Sequence, residues 1–217
     1  PLAVNAMVRM NWATGWDKEA GRPILSPETS DYSTGPKIVF PAFPGARNWY
    51  PPAYDPGRNL YFASFLDMGN LLFLPPGLEE APHRAKALNA GPAILFSPDL
   101  EALLPSLPPP LQEAAKALDH WQWVKEKPFV SQLRAVDPVS GQTKWAADLE
   151  GWQDRGGVLA TRSGLVVHGS LSGKLILRDA ESGRIVKQIE TGSTIMAAPM
   201  TYRVDGVQYI AVQTGWG

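Results

Sequence analysis

The 217-residue sequence has no cysteine, no apolar run long enough to span a bilayer and almost no net charge. Without cysteine the chain forms no disulfide, no cysteine-ligated zinc site, no c-type haem attachment and no thiol nucleophile. A membrane-spanning helix needs about 20 consecutive apolar residues. A net charge of −1 gives no electrostatic attraction to nucleic acid or to an anionic membrane. We therefore expect neither nucleic acid nor a membrane span among its interactions.

What is abundant is turn-forming and aromatic sequence. The chain contains 20 Gly, 21 Pro and 8 Trp, whereas only 19% of its residues are charged. A high Gly and Pro content is typical of disorder when apolar residues are scarce. Here 44% of the residues are hydrophobic, so we expect a packed, turn-rich β fold.

A short turn pattern, in which Asp is followed four residues later by Gly or Asn, occurs four times. The copies lie at residues 17–21, 55–59, 137–141 and 179–183, so their aspartates are 38, 82 and 42 residues apart. Asp accepts hydrogen bonds from backbone N–H groups two or three residues on, and Gly or Asn tolerates the left-handed conformation. Periods of ~40 residues are typical of propeller blades. The pattern predicts an all-β fold of about four β-propeller blades, each a four-stranded antiparallel sheet.

We expect one partial propeller domain over 1–217. The spacing of the repeated turns divides it into three sections. Residues 1–74 contain two of the turns and a stretch rich in Pro and aromatic residues at 41–52, which is typical of a loop that forms a site. Residues 75–128 do not follow this spacing, and we predict a loop and helix insertion there, with a strand at 93–96 and a short helix that begins at prolines 108–110. Residues 129–217 predict the C-terminal blades and a hairpin at Asp205 and Gly206. Because no signal peptide opens the chain and an apolar strand ends it, we expect a fragment of a longer protein.

Several segments carry a resemblance to a known family. The unit Ala-x-Asp-x-x-Ser-Gly-x-x-x-Trp at 135–145 resembles the tryptophan-docking motif of the eight-bladed quinoprotein dehydrogenases, which use pyrroloquinoline quinone (PQQ). Other matching segments follow in the same order: Asn-Trp-Ala-Thr-Gly at 11–15, Gly-Ala-Arg-Asn-Trp-Tyr-Pro-Pro at 45–52, Gly-Gly-Val-Leu-Ala-Thr at 156–161 and the closing strands at 199–217. The resemblance covers nearly all of the chain except about 71–128. It implies the C-terminal part of a PQQ-dependent alcohol dehydrogenase.

The resemblance also implies three cofactor-binding residues. The family's cofactor-contacting Asn corresponds to Asn48, with Trp49 beside it, and an amide suits the oxygens of a quinone that carries carboxylates. Just before the Gly-Gly pair the family commonly has a Trp, whereas this chain has Arg155. Arg155 is either a cationic contact to the cofactor carboxylates or a solvated loop residue. A second departure is Lys187, which replaces the last docking Trp.

We expect no catalytic residue and no metal ligand in this chain. In the family, the catalytic aspartate and the ligands of the calcium or lanthanide ion lie N-terminal to the segments matched here. The Asp turns lack the alternating oxygen ligands and terminal Glu of a calcium loop. His83, His120 and His168 are scattered, and His168 reads as a packing residue in a strand.

Two classes of function remain open. The first is enzymatic: the chain is part of a periplasmic dehydrogenase, in which a small alcohol transfers hydride to a metal-polarised quinone and a cytochrome accepts the electrons. The second is a non-catalytic or degenerate propeller segment that acts as a scaffold or binding module. Four blades leave two open edges, so we expect poor solubility, oligomerisation, or a second chain that supplies the missing blades.

Overall fold

The computed structural model describes residues 4–30, 34–74, 93–126, 130–154 and 156–215. The chain packs as two compact units. Unit 1 consists mainly of Val8–Gly45 and Asp67–Pro128, and unit 2 of Leu2–Met7, Ala46–Leu66 and Phe129–Gly217. The section boundaries expected from the sequence stay a prediction.

The secondary structure is mostly β-strand, as predicted. The described strands, in chain order, are β1 (Ala13–Asp17), β2 (Arg22–Leu25), β3 (Lys37–Val39), β4 (Ala53–Asp55), β5 (Leu60–Leu66), β6 (Asn70–Phe73), β7 (Ala93–Phe96), β8 (Ser131–Val136), β9 (Thr143–Asp148), β10 (Val158–Ala160), β11 (Leu165–Gly169), β12 (Lys174–Asp179), β13 (Ile185–Glu190), β14 (Met200–Val204) and β15 (Val207–Ala211). The helices are α1 (Pro27–Ser30), α2 (Leu100–Leu103), α3 (Pro109–Lys116) and α4 (Trp121–Lys125). In the described part of the chain, no helix has the length and apolarity needed to cross a membrane.

The repeated Asp turns close antiparallel hairpins. In each turn an Asp Oδ1 accepts a backbone N–H two residues on, at 2.9 Å from Glu19, Gly57 and Val139 and 3.1 Å from Glu181. The residue that completes the turn has a positive φ, +66° to +74° at the three glycines and +52° at Asn59. The hairpin predicted at Asp205 and Gly206 is also present, between β14 and β15. These aspartates are therefore structural turn residues.

Unit 2 contains two four-stranded antiparallel sheets. The first has the order β4-β5-β8-β9 and the second the order β10-β11-β12-β13. In the first sheet the chain leaves after β5 and returns at β8, where Phe62 pairs with Ala135. This sheet is therefore assembled from two distant parts of the sequence.

Trp145 of β9 packs the first sheet of unit 2 against the second. Its indole Nε1 donates to the carbonyl of Ala180 at 2.9 Å, and its ring centroid lies 5.9 Å from that of Phe62. A Cβ on Gly183 would lie 2.6 Å from Trp145 Cδ2, so only glycine fits beneath the ring. Around it lie the buried residues Leu60, Leu133, Ala135, Val158 and Val166.

Unit 1 contains the hairpin β1-β2, the three-stranded sheet β3-β6-β7 and helices α1 to α4. The strand predicted at 93–96 and the helix predicted after prolines 108–110 are present as β7 and α3. Its core joins the sheet to the helices through Ile38, Phe40, Leu71, Leu100, Leu104, Trp121 and Val124. Asn11 fixes the backbone beside β3, because its amide donates to Ile38 O and accepts from Phe40 N at 2.8 Å each.

The last hairpin of unit 2 exposes an apolar face. Cross-strand pairing places Tyr202 opposite Tyr209 and Val204 opposite Val207, and the two tyrosine rings stack with centroids 5.5 Å apart. These four side chains and Met200 are 45–60% exposed. Apolar side chains grouped on one strand face are typical of a surface that another protein segment covers.

We predict that Trp145→Phe lowers the free energy of unfolding by about 2 kcal/mol, because the carbonyl of buried Ala180 loses the hydrogen bond from the indole N–H. Trp145→Ala should cost about 3–5 kcal/mol, since it also leaves a cavity. Urea unfolding of the full chain measures both. The matched control is Trp49→Phe at an exposed position of the same unit, which should change stability by less than ~0.5 kcal/mol. Equal stabilities of Trp145→Phe and the control would contradict this account of the core.

Candidate functional site

The segment that contains Asn48 and Trp49 forms a loop (residues 46–52, the site loop) that is fixed at both ends. At its start, Ala46 O accepts the N–H of Leu66 in β5 at 2.9 Å. At its end, Pro51 O accepts the N–H of Val158 in β10 at 3.0 Å. The two four-stranded sheets of unit 2 therefore both hold this loop.

Asn48 and Trp49 lie on the surface of the site loop. Asn48 is exposed, and its Oδ1 accepts the N–H of Trp49 at 2.8 Å. The amide Nδ2 is the donor group of this side chain. The Trp49 side chain is 73% exposed and stacks on Tyr50 with centroids 4.3 Å apart and ring planes 27° apart. An amide donor beside an open aromatic face can bind a flat ligand that carries acceptor oxygens.

Arg155 lies outside the described residues, but its neighbours on both sides are fixed. After it, a Cβ on Gly156 would lie 3.2 Å from Ile195 O, and one on Gly157 would lie 2.5 Å from Ala198 Cβ. The Gly-Gly pair therefore permits close backbone approach, and Gly157 N donates to Met196 O at 3.3 Å. The next residue, Val158, bonds to the site loop. The structure thus brings together the Asn48–Trp49 loop and the backbone that follows Arg155.

Asp154 is a buried acid that the sequence did not reveal. It is 1% exposed, its Oδ2 accepts the N–H of Glu150 at 3.0 Å, and its Oδ1 has no hydrogen-bond partner among the described residues. Burial raises the pKa of the Asp154 carboxyl to about 6, and the negative charge of Glu150 adds to this effect, while the backbone N–H groups of Glu150 and Leu171 oppose it. Nothing in the local sequence distinguishes it from a solvated loop aspartate.

Three further hydrogen bonds secure the connection between β9 and β10. Ser131 Oγ donates to the carbonyl of Asp154 at 3.0 Å. Glu150 accepts from Ser172 N at 2.9 Å and from Ser172 Oγ at 2.6 Å. The chain that leads to Arg155 is therefore bonded to β8 and to the β11–β12 turn.

His168 is a packing residue, as the sequence predicted. It is buried, its Nδ1 lies 2.9 Å from Gly169 O and its Nε2 accepts from Arg178 Nε at 3.0 Å. Because a carbonyl only accepts, Nδ1 carries the hydrogen. Burial and the neighbouring Arg178 charge lower the pKa of His168 to about 4. In the part of the chain that the structure describes, His, Cys, Asp and Glu form no group of three or more that could hold a metal ion.

Comparison with known proteins places these features in a family. A family model described as "PQQ: Glucose/ethanol/alcohol dehydrogenase, beta-propeller domain" matches residues 9–210. The whole chain is 32% identical over 222 residues to the quinohemoprotein alcohol dehydrogenase ADH-IIG of Pseudomonas putida and covers 28% of that protein. It is 30% identical over 219 residues to the quinoprotein alcohol dehydrogenase PedH of Pseudomonas putida KT2440, with 96% of this chain and 31% of PedH covered. The chain spans less than a third of the length of these relatives.

Solved structures show the same fold. The quinohemoprotein alcohol dehydrogenase ADHIIG from Pseudomonas putida HK5 superposes with a TM-score of 0.72 at 30% identity, over 98% of this chain and 29% of that chain. A europium-containing methanol dehydrogenase superposes with a TM-score of 0.72 at 21% identity, over 97% of this chain and 32% of that chain. The latter likeness concerns the fold alone. Together the comparisons confirm the predicted resemblance and the partial β-propeller fold.

Two buried groups should give opposing pH dependences of stability. The pKa of Asp154 rises on folding from 3.8 to about 6, so the native state binds more protons and the free energy of unfolding falls as the pH rises through that interval. The pKa of His168 falls from 6.5 to about 4, so the unfolded state binds more protons and the free energy of unfolding rises over nearly the same interval. In the native sequence the two trends partly cancel.

Single variants should therefore separate the two trends. Asp154→Asn should make the free energy of unfolding rise with pH between 4 and 6.5 and should add about 3 kcal/mol at pH 7, from a shift of about two pKa units. His168→Gln should leave only the trend of Asp154, so that the free energy of unfolding falls as the pH rises over this range. Urea unfolding across this pH range measures the effect. If the free energy of unfolding changed with pH in the same direction in both variants, this would contradict opposite pKa shifts of Asp154 and His168.

Proposed function

Because this chain belongs to the PQQ glucose/ethanol/alcohol dehydrogenase β-propeller family, we propose that it is the C-terminal part of a dehydrogenase that oxidises a small alcohol. The observation that carries the proposal is the exposed Asn48–Trp49 pair, on a loop bonded through Pro51 and Val158 to the backbone that follows Arg155. The sequence motifs that resemble the family's cofactor-contacting segments are about 100 positions apart and meet at this point of unit 2.

The residues present fit a planar quinone that carries carboxylates. Asn48 Nδ2 offers donors to ring or carboxylate oxygens, and the open face of Trp49 offers a flat apolar surface. Arg155 would add a cation for a carboxylate. When bound, PQQ with a calcium or lanthanide ion supplies the hydride acceptor and the polarising charge.

The role of this chain is to bind and orient, not to move the substrate proton. Asn48 would hold an oxygen of the ligand through its amide, while Trp49 would cover part of the ligand surface and exclude water. Burial raises the pKa of the Asp154 carboxyl to about 6, so this group is mostly neutral below that pH. The proton acceptor and the metal ligands belong to the remainder of the assembly.

The remaining blades come from a part of the protein beyond this chain, either the same polypeptide or a second one. The exposed apolar face of β14 and β15 supports this, because covering such a face with another strand or sheet is favourable. ADH-IIG is named a quinohemoprotein, and another relative, from Thauera butanivorans, is named 1-butanol dehydrogenase (cytochrome c). From these names we propose a small alcohol as substrate and a cytochrome as electron acceptor, and from the family resemblance we propose the periplasm as location.

A second candidate is a non-catalytic propeller segment that acts as a scaffold or binding module. Two departures from the family favour it. Arg155 stands where the family commonly has a Trp that reaches the cofactor, and Lys187 on the exposed strand β13 stands where a docking Trp is expected. Cofactor binding decides between the two candidates.

We predict that PQQ, added to the full chain with Ca²⁺ or La³⁺, quenches tryptophan fluorescence in a saturable titration. Asn48→Ala should weaken the apparent affinity about tenfold, the equivalent of one hydrogen bond of about 1.4 kcal/mol. Trp49→Phe should reduce the amplitude of quenching, because it removes the fluorophore nearest the ligand. The control Trp12→Phe, at another exposed tryptophan, should leave the affinity unchanged. A folded native chain that shows no saturable binding would contradict PQQ binding at the Asn48–Trp49 loop and favour the scaffold.

A further inference from the structure

Arg47 connects the site loop to the strand beneath it. Its guanidinium donates to the hydroxyl of Tyr61 and, at 2.6 Å, to the carbonyl of Tyr50. It also lies over the ring of Tyr61, with Cζ 5.7 Å from the centroid. Tyr61 belongs to β5, where it pairs with Tyr54 on one side and Val136 on the other. Arg47 is thus anchored to a central strand of a four-stranded sheet.

Tyr50 transmits this anchoring to Trp49. The two rings are stacked, 4.3 Å apart between centroids, and the Trp49 side chain is otherwise largely open to solvent. An exposed indole has several rotamers available, so its direction depends strongly on the ring against which it stacks. The path of contacts therefore runs from Tyr61 through Arg47 and Tyr50 to Trp49.

The geometry requires an arginine. A planar guanidinium presents several N–H donors in a fixed fork, so it can bond a hydroxyl and a carbonyl at once while it lies on an aromatic ring. A lysine ammonium at the same place keeps the charge but has no such fork.

We propose that Arg47 is a positioning residue that sets the direction in which Trp49 and Asn48 are presented to a ligand. The positioning itself is a property of the free chain. Its consequence for PQQ rests on the function proposed above. Arg47 acts through Tyr50 and the loop backbone, and preorganising a binding surface in this way reduces the ordering cost of binding.

NMR of the free chain tests the positioning directly. In the native sequence, nuclear Overhauser effects should connect the rings of Trp49 and Tyr50. Arg47→Met and Tyr61→Phe should each weaken these effects and shift the Trp49 indole N–H signal. The matched control is Arg134→Met in the same unit, since Arg134 also lies over an aromatic ring, Phe65, and donates to a backbone carbonyl, that of Met7. It should leave the Trp49 signals unchanged.

Unchanged Trp49–Tyr50 effects in a folded Arg47→Met chain would overturn the proposal. If Arg47→Met does not fold, Tyr61→Phe decides on the same readout, because it removes one of the bonds to Arg47 and retains the ring.

A PQQ titration then separates positioning from charge. If Arg47 positions the loop, Arg47→Lys and Arg47→Met should both weaken binding about tenfold, within the range measured when supporting residues around a site are removed. Full affinity in Arg47→Lys would overturn the positioning role in favour of a simple charge effect. If the native chain binds no PQQ while the Trp49 signals respond to Arg47→Met, the proposed PQQ binding by this chain fails and the positioning of Trp49 stands.

Discussion

The packing of Trp145 against the 179–183 turn is the contact on which the rest of unit 2 depends. The indole fits because Gly183 has no side chain, and its N–H satisfies the buried carbonyl of Ala180. This contact sets the spacing between the two four-stranded sheets. That spacing in turn allows Val158, at the start of the second sheet, to bond to Pro51 beside the first. The candidate site is therefore a consequence of how two neighbouring sheets dock.

Buried polar groups hold the same region from the other side. Arg178 donates to Gly183 O at 2.9 Å and to His168, so it supports the turn against which Trp145 packs. Burial lowers the pKa of the Arg178 guanidinium. Asp154 is held by Glu150 N, while its Oδ1 has no hydrogen-bond partner among the described residues. Such groups cost stability in a buried position, and here they occur at the turn and at the connection that fix the site loop.

Local features of this fold could be predicted from the sequence, and long-range ones could not. The Asp turns, the hairpin at Asp205 and helix α3 follow from side-chain hydrogen bonds and backbone preferences within a few residues. The pairing of β5 with β8 could not be predicted, because residues 67–130 intervene and strand register depends on tertiary packing.

The site shows the same division between local and long-range information. The family resemblance indicates Asn48 and Trp49, and the structure adds that they are exposed on a loop that bonds to Val158 through Pro51. The positioning role of Arg47 and the burial of Asp154 needed the structure, since neither residue has a distinctive sequence context. Chemical-shift mapping of the ¹⁵N-labelled chain on addition of PQQ and Ca²⁺ shows which residues the cofactor contacts. We expect shifts concentrated at Asn48, Trp49 and the amides of residues 156–158. Shifts centred elsewhere, or none at saturating PQQ, would contradict this expectation.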